Sequence, residues 1–184
     1  MDGEMGFAED GRDLCRYRCE AQAYQALHAH GVCREQTVPY LHGLFDNFDP
    51  TLLGDHLKSF QGDKTPPNAI LLEYRPNAKS FESAASTISP EPETIAIEGL
   101  QKKHDARVIH NDNYPKNVLV VPQDKSQRAV WVDFDVAVVF PAEGTRGPLS
   151  LPEEDEWEME VVKSRMRKLV RCLPALCILC CSDH

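Results

Sequence analysis

Residues 108–135 read VIHNDNYPKNVLVVPQDKSQRAVWVDFD, and the fold turns on this stretch. Val118-Leu119-Val120-Val121 and Ala129-Val130-Trp131-Val132 are two β-rich apolar runs, and Pro122 to Arg128 between them is a polar turn. The pair is expected to close as a hairpin. A hairpin brings its outer ends together. Ahead of the first run stands His110-Asn111-Asp112-Asn113-Tyr114-Pro115-Lys116-Asn117, and behind the second stands Asp133-Phe134-Asp135. Asp112, Asn117, Asp133 and Asp135 should therefore converge. Three carboxylates and an amide repel one another unless a cation joins them. A hard divalent ion with oxygen ligands is the natural resident, and Mg²⁺ prefers one or two carboxylates plus phosphate oxygens. A magnesium–nucleotide site needs two oxygen ligands for the metal and a further carboxylate near the acceptor hydroxyl.

Outward from the hairpin, Ser89-Pro90 with Glu91 and Glu93 opens a helix to about Asp105, with Ile97, Leu100, His104 and Val108 along its apolar side. Ala69 to Tyr74 reads as a short buried strand and Val38 to Phe45 as another. The polar stretch between them, up to Asn68, shows no element, and Arg75 to Ser89 reads as a loop or weak helix. Asp13 caps a helix to about His30, stopped by Gly31, with Tyr17, Ala21, Tyr24 and Leu27 on one face. Glu20 lies beside that face and, on position alone, reads as a solvated glutamate. After a loop to Pro152, an acidic start (Glu153 to Glu160) and a basic end (Lys163 to Arg171) suit a helix dipole, with Met159, Val162, Met166 and Leu169 inward.

The 184 residues suit one domain able to bury a core without staples. Twenty basic against 29 acidic residues give a net charge of -9, the wrong sign for a phosphate-backbone binder, so nucleic acid is not expected as a partner. Seven cysteines fall in two clusters, Cys15 to Cys33 and Cys172 to Cys181, unlike a secreted disulfide framework. No signal peptide is visible at the start, and the longest apolar run, Leu173 to Cys181, is short for a membrane span. The expected compartment is intracellular and cytoplasmic. The cysteine-rich tail reads as the packed end of an amphipathic helix, since Cys177 and Cys180 have no second pair for zinc.

His110, Asp112 and Asn117, followed 21 residues after Asp112 by Asp133 and Phe134, resemble the catalytic and metal-binding loops of the protein-kinase-like superfamily. The wording of these loops is similar to that of divergent kinase-like proteins of filamentous fungi. Leu100 and His104 fall where the preceding helix of that superfamily places a leucine and a histidine. The resemblance implies a truncated kinase-like α+β fold. Residues 1–12 would be a disordered end and 13–74 a partial N-lobe of one helix plus short strands. Residues 75–184 would form a partial, mainly helical C-lobe with the catalytic-loop hairpin and a C-terminal helix.

The resemblance also implies roles. Asp112 would orient the acceptor hydroxyl, His110 would brace the loop, and Lys116 would join the catalytic set. Asn117 and Asp133, with Asp135 beside them, would hold Mg²⁺. Glu73 and Tyr74, at the strand leading to the hinge, would meet the adenine of ATP. Glu20 would pair with the phosphate-binding lysine. The implied partners are a nucleotide and an unidentified hydroxyl acceptor, a protein serine or threonine in the protein-kinase reading.

The sequence departs from the superfamily pattern in several places. Nothing before Glu20 reads as a glycine-rich loop, and no lysine precedes Lys58, leaving an arginine at 12, 16 or 18 as the cation near a phosphate. Asp135 replaces the glycine of Asp-Phe-Gly, Tyr114 stands where a lysine is usual, and Asn111 replaces an arginine. Three functions stay open at this stage: a weak protein kinase; a pseudokinase-like binding module or truncated product; and a small-molecule kinase of the aminoglycoside or choline type.

Overall fold

The computed structural model describes residues 6–8, 12–84, 91–123, 126–140, 157–161 and 163–164. Helix α1 spans Arg16–Ala29 and buries Cys19, Ala21, Ala23, Tyr24 and Leu27. It starts later than the sequence suggests. Cys15 is the flanking residue, and the Asp13 carboxylate instead accepts the Cys15 N–H at 2.8 Å and the Arg18 guanidinium at 2.7 and 2.8 Å. Asp13 thus fixes the entry of the chain from just outside the helix. At the other end Gly31 takes φ +82°, which lets the Val32 N–H turn back to the Leu27 carbonyl at 2.9 Å.

Strands β1 (Leu41–Phe45) and β2 (Ala69–Leu72) pair antiparallel, with an irregularity between Leu41 and Gly43. The polar stretch between them holds a 3-10 run, Pro50–Phe60, started by the Asp49 carboxylate on the Thr51 N–H at 2.9 Å. None of its residues is buried. Strand β2 is not the buried strand expected from its apolar run. Leu71 is 51% exposed, because a two-stranded sheet offers it no second layer on that face among the described residues.

Strand β3 (Lys79–Ser80) and helix α2 (Phe81–Ala84) occupy the stretch read as loop or weak helix, and Phe81 and Ala84 anchor it in the core. Helix α3 runs Glu91–Asp105. Val108 does not extend its apolar face. Arg107, at φ +62°, donates its N–H to the His104 carbonyl at 2.7 Å and ends the helix, so Val108 opens strand β4 (Val108–Ile109). The predicted hairpin forms as β5 (Val118–Pro122) and β6 (Gln127–Trp131), with β3 on the outer edge of β5. Strand β7 (Val138–Val139) returns to pair with β4. The architecture is mixed α+β, built of small sheets and short helices.

Helix α3 lies on β6. Trp131 is fully buried and donates its indole N–H to the Ala96 carbonyl at 2.9 Å. Gly99 makes room for this packing: a Cβ there would stand 2.6 Å from Thr37 Cγ2 and 3.2 Å from the Trp131 ring. Thr37 is itself buried and cannot swing away. Gly99→Ala should therefore destabilise by ~1–3 kcal/mol through overpacking, despite alanine's better helix propensity. A urea titration in which the variant matched or exceeded wild type would show that Thr37 yields.

Residues 157–161 and 163–164 are helical, and Met159 packs on the core as expected. The most enclosed side chain there is Glu158, not an apolar one. Val162, Met166, Leu169 and the cysteine-rich tail lie outside the described residues, as do 1–5 and 141–156. Among the described residues no helix is long and apolar enough to cross a membrane.

Candidate active site

The β4–β7 pair delivers His110 to the end of the hairpin. The His110 Nε2 lies 3.0 Å from the Val132 carbonyl, and the Asp112 N–H points at Nδ1 at 3.3 Å. A carbonyl only accepts and an N–H only donates, so the proton is assigned to Nε2 of a neutral ring. Burial first, then the Lys103 charge, push the His110 pKa down to about 3, which keeps the ring neutral at physiological pH. The ring also belongs to an aromatic stack. Tyr24 meets Phe134 at 5.2 Å, Phe134 meets His110 at 4.7 Å, and His110 meets Trp131 at 5.3 Å between centroids. This stack ties α1, the Asp133–Asp135 turn and the Asp112 loop into one body.

The Tyr24 hydroxyl is buried without a hydrogen-bond partner among the described residues. An orphaned buried hydroxyl costs about 1–3 kcal/mol, so Tyr24→Phe should keep the stack and raise the melting temperature by a few degrees. A lower melting temperature for Tyr24→Phe would contradict this assignment.

Glu158 holds the loop. Its Oε1 accepts the backbone N–H of His110 at 2.9 Å, that of Asn111 at 3.0 Å and the Asn113 amide at 2.6 Å. Its Oε2 meets His104 Nε2 at 2.5 Å. Burial opposes its ionisation, but the His104 hydrogen bond, the Lys103 charge and the Asn113 hydrogen bond outweigh burial and pull its pKa to about 2. The sequence gives no hint of this role, because an acidic run at the start of a helix already has an explanation in the dipole. Asn111 and Asp133 sit at φ +62° and +69°, a left-handed geometry that Asn and Asp tolerate better than most residues. The Asn111 side chain donates to the Val136 carbonyl at 3.3 Å, linking the two loops.

Asp112 stands at the head of this loop. Asn117 Nδ2 donates to both its carbonyl at 2.9 Å and its Oδ2 at 2.8 Å, and Lys116 Nζ lies 3.0 Å from the same Oδ2. Burial works against the Asp112 carboxylate, but Lys116 and Asn117 prevail and hold its pKa below the usual value. The hairpin closes beside it, the Val132 N–H donating to the Asn117 carbonyl at 2.9 Å. Asp133 feels Asp135, Lys116, Asp112 and Arg16; burial first, then Asp135, raise its pKa. Glu20 is turned inward rather than solvated. Its carboxylate accepts the Phe134 N–H, and burial, then Asp133 and Asp135, raise its pKa. Among the described residues no lysine answers it there, in line with the lack of any lysine before Lys58. Arg16, one turn ahead on α1, reaches Asp135 in an ion pair.

The structure thus brings together His110, Asp112, Lys116, Asn117, Asp133, Asp135 and Glu20. Glu73 and Tyr74 stand apart from them. The Glu73 carboxylate is spent on Arg75 at 2.5 Å and the Tyr40 N–H at 3.2 Å, its own N–H goes to the Tyr40 carbonyl at 2.9 Å, and Tyr74 is 84% exposed. In the resemblance it is the backbone groups of this strand that hold adenine, and the Glu73 N–H is engaged by the Tyr40 carbonyl. One further group escaped the sequence reading. Lys103 is fully buried, a signal available in its spacing from Ala96 and Leu100 on the inner face of α3. Arg16, one of the three arginines named as candidate cations near a phosphate, is paired with Asp135.

The donors suit a hard cation in part. With the amide nitrogen of Asn117 committed to Asp112, its oxygen is the atom left for a metal, and Asp133 carries excess negative charge. Among the described residues no three His, Cys, Asp or Glu side chains gather so as to hold a metal ion by themselves. The set therefore fits Mg²⁺ bound by few protein ligands and completed by phosphate oxygens, not a closed metal cage. Compared with known proteins, the chain matches no protein-family model and no curated protein.

Proposed function

We propose that the chain carries a protein-kinase-like site for weak, ATP- and Mg²⁺-dependent phosphoryl transfer to a hydroxyl acceptor, most simply a protein serine or threonine. One observation carries this reading. Asp112, Asn117 and Asp133 meet at the open end of the β5–β6 hairpin, with the Asp112 loop clamped from behind by Glu158. Asp112, ionised and aimed by Asn117, orients the acceptor hydroxyl and accepts its proton. Lys116 places positive charge beside the developing phosphoryl charge. Asn117 Oδ1 and Asp133 would hold Mg²⁺, which neutralises charge on the phosphates when bound. His110 braces the loop and takes no proton. Such catalysis is positioning and charge neutralisation, so it fails when any of these groups is misplaced.

A second reading is favoured by the ion pairs Lys116–Asp112 and Arg16–Asp135, which satisfy two of the carboxylates without any metal. It makes the chain a non-catalytic binding module of the pseudokinase type. Thermal shift with millimolar ATP and Mg²⁺ tests the first reading: no stabilisation sinks it. If binding is seen, Asp112→Ala should leave it within about threefold and reduce phosphotransfer at least 100-fold. Binding with no transfer by wild type, on any hydroxyl acceptor tried, selects the module.

A further inference from the structure

Lys103 is the most anomalous side chain among the described residues. Its ammonium nitrogen is fully buried and has no hydrogen-bond partner among them. It lies 3.5 Å over the Trp131 ring and 5.5 Å from the Phe134 ring centroid, inside the stack that supports the Asp112 loop. The titratable groups facing it are Glu158 from the 157–161 helical segment and His110 from the loop, with His104 next to it on α3. We propose that Lys103 is a buried proton switch, whose gain or loss of a proton sets how firmly Glu158 holds the loop bearing Asp112.

A neutral amine rests comfortably among aromatic rings. An ammonium in the same place has three N–H groups and no acceptor. The nearest compensating charge is Glu158, but its oxygens already serve His110, Asn111, Asn113 and His104. Protonated Lys103 can be satisfied only by drawing Glu158 away from the loop or by admitting water. The face of Trp131 attracts the ammonium and limits the cost without supplying a hydrogen bond. Burial pushes the Lys103 pKa down to about 7, against the opposing pull of Glu158, so the exchange falls within the physiological range. The sign follows from linkage. The opened state, with Lys103 hydrated, binds the proton more tightly than the closed state, so opening is favoured at lower pH and suppressed as pH rises above 7. His110 stays neutral throughout this range. The switch does not depend on the kinase-like reading, because it concerns the order of the loop and not what the loop binds.

The chain has two tryptophans, and Trp157 is 56% exposed, so Trp157→Phe leaves Trp131 as the sole indole. In that variant, Trp131 emission should show one transition between pH 6 and 8, and adding Lys103→Met should abolish it. Hydrogen exchange of the Asn111 amide, corrected for its intrinsic pH dependence, should slow about tenfold from pH 6 to 8 in the full chain and stay level in Lys103→Met. In the unsubstituted protein with ¹³Cε-labelled lysine, one resonance should titrate near pH 7. This last measurement decides the matter even if Lys103→Met fails to fold. A flat emission trace, a transition that survives Lys103→Met, or Asn111 exchange indifferent to pH would each overturn the switch.

Discussion

Glu158→Ala should lower the stability of the protein by ~3–5 kcal/mol, the cost of removing one partner from a buried charged network. The alanine leaves the His110 and Asn111 N–H groups, the Asn113 amide and His104 facing a cavity, and removes the charge opposite Lys103. In a chain of this size that loss corresponds to a melting point lower by roughly 10 °C or more. The pH dependence has a definite sign. Glu158 is held ionised to about pH 2 in the folded state, below its ordinary value of 4.5. Its contribution of about 3 kcal/mol is complete above pH 4.5 and drains away as pH falls toward 2. Wild type should therefore lose stability through that window, and Glu158→Ala should show a shallower acid limb. Denaturant titrations at pH 7, 4.5 and 3 measure both effects. Equal slopes for the two proteins would remove Glu158 from its place at the centre of the loop.

Trp131→Ala should cost a similar ~3–5 kcal/mol, for a different reason. The indole fills the space between α3 and β6, closes over the Cα of Gly99, and supports Lys103 and His110. Its removal opens a cavity that two rigid elements cannot close, and strips the ring from beneath a buried amine. Trp131→Phe keeps an aromatic face and loses only the Ala96 hydrogen bond and some volume, so about 1–2 kcal/mol is expected. Far-UV circular dichroism should show both variants folded at low temperature, separated by denaturation midpoint. If phenylalanine proved as damaging as alanine, the hydrogen bond rather than the volume would carry the residue's contribution.

What could be read from the residues alone follows their physics. The β5–β6 hairpin was legible because β-branched and aromatic runs flank a polar turn, and α1 and α3 because their apolar positions recur every three or four residues. The meeting of Asp112, Asn117 and Asp133 was legible because hairpin ends must converge. Strands β4 and β7 are two residues each, too short to show any period, so Val108 looked like one more turn of helix. Glu158 could not be found, since charge order along a helix gives no sign of which carboxylate turns inward. Glu20 was misjudged for the same reason: the Phe134 N–H, supplied by a distant loop, draws it in. Glu73 and Tyr74 were placed on the right strand end, but Arg75 and the Tyr40 backbone decide what they do.

The β1–β2 ribbon bears on how the molecule comes apart. Two strands with both outer borders bare among the described residues, joined by a 3-10 run that buries nothing, have little to hold them once α1 shifts. A protease added in trace amounts should find the 50–60 connection before any other described segment. The surviving piece, held by Trp131 and the β5–β6 ladder, should still give a cooperative melt.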